Sequence, residues 1–348
     1  MRRLLLLPVC IASCCLPLLV TSAAETTNTV ESATRRGLML VTRAASNWQQ
    51  HKTCFSCHHQ TLPMLTAVTA ERMGLPLDAA WLKSQAQTTH KYFADRTEDL
   101  DEGNHVPGGS TTAGYGLWAL SLADRPADQT TTSIVNYLLK IQGVARLQGR
   151  APSDLSRLPN GRWTTSCRRP PLQGSDVADT VLALLGMERY ATAAQRPQLA
   201  KARAAAEKWL AQTPLTTQED RIWRLWGLHR LKGDAATQAS VRQGIMAAQL
   251  KDGGWAPADG QPGDAFATGQ TLFVLRQTGS PPDDSAVVRA RDYLLRTQHA
   301  DGSWRVESRV KLKAQPYFEN GDPHGEHQFL STAATAWATA ALATLLTR

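Results

Sequence analysis

One pattern recurs along this chain: a helix-patterned segment, a glutamine, then Gly-x-Trp. It is clearest where Arg289-Ala290-Arg291-Asp292-Tyr293-Leu294-Leu295 leads to Gln298 and then to Gly302-Ser303-Trp304. Val241-Arg242-Gln243-Gly244-Ile245 leads in the same way to Gln249 and Gly253-Gly254-Trp255. Ile134-Val135-Asn136-Tyr137-Leu138-Leu139 leads to Gln142 and, after an insertion, to Gly161-Arg162-Trp163. These copies cover 133–163, 241–255 and 289–304. Ala80–Gln85 and Lys208–Gln212 keep helix and glutamine but lose Gly-x-Trp, and Ala44–Gln49 is the most divergent copy. A chain written this way must stack helical units against one another, because no single unit can bury its own apolar face.

Each copy is followed by a second helical segment rich in small and apolar residues: Leu62–Met73, Ala113–Ala123, Val177–Tyr190, Arg221–Leu231, Ala265–Gln277 and Thr332–Leu346. Apolar residues fall at helical spacing, and strand-like alternation is nearly absent. Ser110, Asp176, Asp264 and Ser331 stand as candidate N-caps. Six hairpins predict an all-α fold, an (α/α)6 toroid with first helices outside and second helices inside. Six units close a ring without terminal caps. One domain over 25–348 is therefore expected.

The Gln-x-x-x-Gly-x-Trp pattern resembles the QW repeat of squalene-hopene and oxidosqualene cyclases and of the related prenyltransferase β-subunits. The resemblance implies this toroid, with Gln closing the outer helix and Trp tying the periphery. It implies a hollow suited to an isoprenoid or other apolar molecule, and it hands over no active site. The Asp-x-Asp-Asp acid run of class II cyclases is absent, and Asp99-Leu100-Asp101-Glu102 reads as a polar loop. Asp176-Val177-Ala178-Asp179 reads as helix capping. The Asp-x-Cys zinc pair of prenyltransferases and the Cys-Gly-Glu-Gln of complement-type thioester domains are also missing. Glycan-cleaving toroids are a weaker alternative, since no acid pair presents itself.

Cys54-Phe55-Ser56-Cys57-His58 falls in the first hairpin, at the turn where later copies carry Gly-x-Trp. Cys-x-x-Cys-His is the attachment signature of haem c: two thiols form thioethers and His58 ligates the iron. A Cys54–Cys57 disulfide, or a metal site using Cys54, Cys57, His58 or His59, remains open beside it. In a closed ring the first and sixth hairpins are neighbours, so His324 and His327 are expected near the motif as axial ligands. His105 is the next candidate, and an open five-coordinate iron the fallback.

The start, Met1-Arg2-Arg3 followed by an apolar run to Val20 and Ser22-Ala23-Ala24, predicts a signal peptide over 1–24 and hence export to periplasm or extracellular space. Ile11-Ala12-Ser13-Cys14 offers lipoprotein anchoring at Cys14 as the alternative. Beyond it no segment is long and apolar enough to span a bilayer. Cleavage leaves Cys54, Cys57 and Cys167, an odd count that suits two thiols on haem better than a disulfide framework. With 38 basic against 30 acidic residues, dispersed and without an aromatic platform, nucleic-acid binding is excluded. Three functions follow: a haem-bearing toroid working with a redox partner, on an apolar ligand or not; a cyclase- or transferase-like enzyme on a polyprenyl substrate without haem; or a non-catalytic scaffold. Whether the chain is an enzyme is left undecided at this level.

Overall fold

A computed structural model describes residues 29–104, 106–144, 161–164, 172–309 and 319–347. The leader with Cys14, together with His105 and Cys167, lies outside the described residues. Outer helices are α1 (Val30–His51), α3 (Ala79–Ala94), α6 (Gln129–Ile141), α8 (Arg196–Gln212), α10 (Ala235–Ala247) and α12 (Ser285–Thr297). Inner helices are α2 (Leu62–Arg72), α5 (Gly109–Leu122), α7 (Asp176–Tyr190), α9 (Gln218–Arg230), α11 (Ala265–Gln277) and α13 (Gln328–Ala343). A short α4 (Thr97–Glu102) completes the set. Each inner helix packs on the next, and α13 returns to α2, so the ring of six closes. No strand occurs among the described residues.

The repeat residues are structural, and the bonds show how. The indoles of Trp163, Trp255 and Trp304 each donate Nε1–H to a late carbonyl of their own outer helix: Leu138, Ile245 and Leu294, at 2.8, 2.7 and 3.0 Å. Their backbone N–H groups donate to Thr180, Thr268 and Thr335 on the inner helix. The glutamines reach outward to the following unit. Gln142 Nε2 donates to Ala202 O, Gln249 to Ala286 O and Gln298 to Ala33 O. Trp thus closes a hairpin, and Gln ties it to its neighbour. The glycine of Gly-x-Trp is dictated by both conformation and space. Gly302 has φ +91, and a Cβ there would stand 2.7 Å from the Arg36 backbone on the next outer helix.

Local capping departs from expectation in three places. Only Asp264 of the four candidates caps its helix, accepting from Ala267 N–H. Ser175, one residue earlier than Asp176, caps α7, which leaves Asp176 to pair with Arg162. Ser110 donates instead to the Thr164 carbonyl and to Asp179, and Ser331 to the Val306 carbonyl. Asp99–Glu102, expected as a loop, belongs to α4, whose Asp101 accepts from Ser133 and Asn136 of α6.

Candidate functional site

Three features meet the ring's interior. The first is the Cys54–His58 turn. Cys57 opens a single π-helical turn, Cys57–Thr61, that feeds α2, with Ser56 as its cap. Cys54 is exposed and Cys57 buried, and no disulfide joins them. His59 is stacked on Trp48, with ring centroids 4.6 Å apart, and its Nε2 lies 2.7 Å from Asp322 Oδ2. The sixth hairpin's loop therefore arrives beside the first hairpin, as closure requires. From the sixth hairpin, however, it is Phe329 that packs on His58, while Asp322 meets the adjoining His59. His324 Nε2 sits 2.7 Å from Ser303 Oγ, and His327 Nδ1 accepts from Ser308 N–H. The two expected axial ligands are thus engaged by their own hairpin's turn.

The thiols and imidazole are the right donors for haem c, but as packed their surroundings do not fit the group. Phe329's ring centroid is 3.9 Å from that of His58, and Ser56 Oγ lies 3.1 and 3.2 Å from the two imidazole nitrogens. A macrocycle on His58 would require both side chains to leave.

The second feature is a buried carboxyl cluster at the N-terminal ends of α7 and α9. Asp179 accepts from Ser110 and, at 2.8 Å, from Thr111. Asp220 accepts from Ser175 Oγ at 2.6 Å and from Thr216 and Thr217 N–H. Glu219 has no such set of donors. Burial first, then the neighbouring Asp220 and Asp179, pushes its carboxyl well above the ordinary glutamate range and so favours the protonated form. The Gln270 amide and Trp223 indole lie alongside and act in the opposite sense. Gln270 Nε2 and Trp223 Nε1 are buried and lack a hydrogen-bond partner of normal geometry among the described residues. Glu219 and Gln270 line a cavity of about 170 Å³. Tyr115 joins the cluster: burial, then Cys57, Glu219 and Asp179, raise its hydroxyl well above the usual value.

The third feature is the central cavity, about 450 Å³, which opens at the other end of the ring, among the C-terminal turns of the inner helices. Trp118, Trp223, Trp226 and Phe273 form its aromatic wall, with ring centroids 5.0–6.1 Å apart along the set. Trp223 is one helical turn from Glu219, so this carboxyl stands just beyond the wall, on the adjoining cavity of about 170 Å³. The end holding the inner-helix N-termini carries the carboxylates; the basic groups ring the opposite mouth.

Sequence reasoning missed Glu219 because Thr216–Asp220 reads as a polar run-up to a helix, and the helix starts at Gln218. The signal was available: on one inner-helix face, Glu219 lies one turn before Trp223 and two before Trp226.

The profile of the squalene-hopene cyclase N-terminal domain family matches residues 216–312. The drimenyl diphosphate synthase of Streptantibioticus cattleyicolor is 34% identical over 79 residues, which is 23% of this chain and 14% of that protein. The matched part is thus a small share of that relative. A type II terpene cyclase from Scytonema in complex with merosterolic acid A superposes with a TM-score of 0.51 at 15% identity, covering 91% of this chain and 97% of that one. The chain has a terpene cyclase-like α/α toroid. At this identity the likeness is one of fold, and a glycosidase in complex with glucose shares it, with a TM-score of 0.54, 14% identity, and 90% and 98% covered. Function has to be argued from the site.

Proposed function

We propose that this terpene cyclase-like toroid holds an acyclic isoprenoid chain in its aromatic cavity and cyclises it by acid, with Glu219 as proton donor. The observation that carries this reading is a buried carboxyl, its pKa raised by burial and by two neighbouring carboxylates, one helical turn from an aromatic box. Glu219 lines the adjoining cavity and not the aromatic one, so the inner end of the chain has to pass the Trp223 wall to meet it; there its proton forms a C–H bond with the π pair and a tertiary cation remains. Attack by the next alkene closes a ring, and loss of a proton from the last cation returns it to the Glu219 carboxylate, directly or relayed through water, which restores the acid. The reaction is an isomerisation and needs no co-reactant. Trp118, Trp223, Trp226 and Phe273 offer π faces to the cation, and the Gln270 amide and Trp223 N–H stabilise the carboxylate left behind. Asp179 and Asp220, already saturated by hydroxyl and backbone donors, hold their neighbour's proton in place by repulsion.

The test is product analysis by gas chromatography of acyclic C15, C20 and C30 isoprenoids incubated with wild type and Glu219→Gln. A cyclic isomer of unchanged mass is expected from wild type only. Undiminished turnover by the variant overturns Glu219 as the acid.

A second reading, a covalent haem on Cys54 and Cys57 with His58 as ligand in an exported protein, rests on the Cys-x-x-Cys-His motif, whose two thiols are not joined in a disulfide. It would supply one-electron chemistry, and it needs Phe329 and Ser56 to move. The mass of the mature chain from a host with c-type haem maturation decides it.

A further inference from the structure

The acid reading gives the Cys54–His58 turn no part in the reaction, and as packed the turn does not fit a macrocycle. Its backbone is nonetheless firmly held. The Trp48 indole donates Nε1–H to the Cys54 carbonyl at 2.8 Å. Phe55 is buried against α3, its ring centroid 5.6 Å from that of Phe93 and 6.1 Å from that of Tyr92. Ser56 Oγ accepts from His59 N–H and so caps the turn that Cys57 opens. Two sulfurs three positions apart are thus fixed in opposite settings. Cys54 is exposed, while Cys57 is buried, with Sγ 3.8 Å from His58 Nδ1. An external disulfide can reach Cys54, and the sulfur that follows it on the same turn is Cys57.

We propose that Cys54 and Cys57 form a reversible dithiol–disulfide pair whose co-reactant is a disulfide, R–S–S–R, with Cys54 as the attacking sulfur and Cys57 as the resolving one. Attack by the Cys54 sulfur breaks the R–S–S–R bond, forms Cys54–S–S–R and releases the first R–SH. Attack by the Cys57 sulfur on Cys54 Sγ then forms the Cys54–Cys57 bond and releases the second R–SH. Two electrons pass from the cysteines to the co-reactant, and the two cysteine protons leave on the released thiols. A dithiol runs the sequence backwards. Exchange of this kind works where one sulfur is open to attack and a second stands by to resolve the mixed disulfide. Burial keeps a bulky R group off Cys57, so the mixed disulfide forms on one side only, and toward an external reagent Cys57 itself stays slow. The bond also needs no room beside His58, where Phe329 stands. The pair is independent of the acid reading and excludes the haem reading, since both would use the same sulfurs.

The test is a redox titration of the full chain, made in a host without c-type haem maturation, in buffers of graded glutathione to glutathione disulfide ratio. After acid quenching and alkylation, the tryptic peptide Thr53–Arg72 contains Cys54 and Cys57 but not Cys167, so its mass reports this pair alone. In wild type the peptide is expected to pass reversibly between dialkylated and internally bonded forms, without a lasting glutathione adduct. In Cys57→Ser, glutathione should stay on Cys54. In Cys54→Ser, Cys57 should react with glutathione disulfide at least about tenfold more slowly than Cys54 does in Cys57→Ser. A peptide that remains a dithiol at the most oxidising ratio overturns the pair, as does wild type that keeps glutathione on Cys54. Equal rates in the two variants overturn the assigned order of attack. Should either variant fail to fold, the wild-type titration still decides the pair. A covalent haem on both sulfurs in chain from a maturation-competent host overturns the proposal and leaves cyclisation by Glu219 untouched. A pair that exchanges as described in a chain that cyclises nothing removes the acid reading alone.

Discussion

His59 and Asp322 are 263 positions apart in the chain, and their side chains meet at 2.7 Å with 1% and 2% of their surfaces exposed. The pair fastens the turn of the first hairpin to the last loop before α13, where the ring shuts. Removing one partner leaves the other buried without its match. Asp322→Ala is therefore expected to cost about 3–5 kcal/mol in a urea titration, and Asp322→Asn, which keeps an acceptor, clearly less. Equal losses would mean that the pairing contributes only packing.

Glu219 gives the protein a definite pH signature. Its folded value lies well above the ordinary 4.5. Unfolding at intermediate pH therefore releases a proton. The stability this group contributes is whole below about pH 4.5 and is lost as pH rises through the folded value. The urea midpoint of Glu219→Gln relative to wild type should accordingly rise with pH over that window. A constant difference would place the Glu219 proton elsewhere.

The glutamine ties can be ranked. Gln298→Ala strips partners from the Ala33 and Gly302 carbonyls, and Gln249→Ala from Ala286 and Gly253. Each should cost about 1–3 kcal/mol per acceptor left unmet in a buried setting. Gln212→Ala, at an exposed position, should fall within about 0.5 kcal/mol of wild type by thermal unfolding.

Thiol chemistry reports on the Cys54–His58 turn. In the bare chain Cys54 should react rapidly with a disulfide reagent and Cys57 slowly, following their exposed and buried states. Denaturation should equalise them. A chain heavier by one haem and unreactive at both positions would establish the second reading and require Phe329 to stand elsewhere.

The toroid could be read from sequence because helix, glutamine and Gly-x-Trp recur, and each part has a local cause: an indole reaching back to its own helix, an amide reaching to the next. Closure was legible for the same reason, since a count of six puts Asp322 beside His59. The chemistry was not legible in that way. How readily Glu219 gives up its proton depends on Asp179 and Gln270 from the neighbouring hairpins and on its burial between them, and no local pattern carries that. Sequence attraction to His324 and His327 failed on a finer scale. Ring closure fixes which loop arrives, but Ser303 and Ser308 fix where the imidazoles turn.

The outer ties also behave like the bands of a hoop, and the hoop has a seam. Gln49, Gln142, Gln249 and Gln298 fasten α1 to α3, α6 to α8, α10 to α12 and α12 to α1. Two joints, α3–α6 and α8–α10, have no glutamine bridge of this kind among the described residues; His90 Nε2 meets Asp128 Oδ2 at 2.7 Å across the first, which leaves the seam at the second. Helix α10 fully buries one side chain, Ile245. Local opening costs least where few buried contacts must be broken. The amides of α10 are therefore the first helical ones expected to exchange with deuterium, and the ring should open as a stave lifting at that seam while the five other hairpins hold.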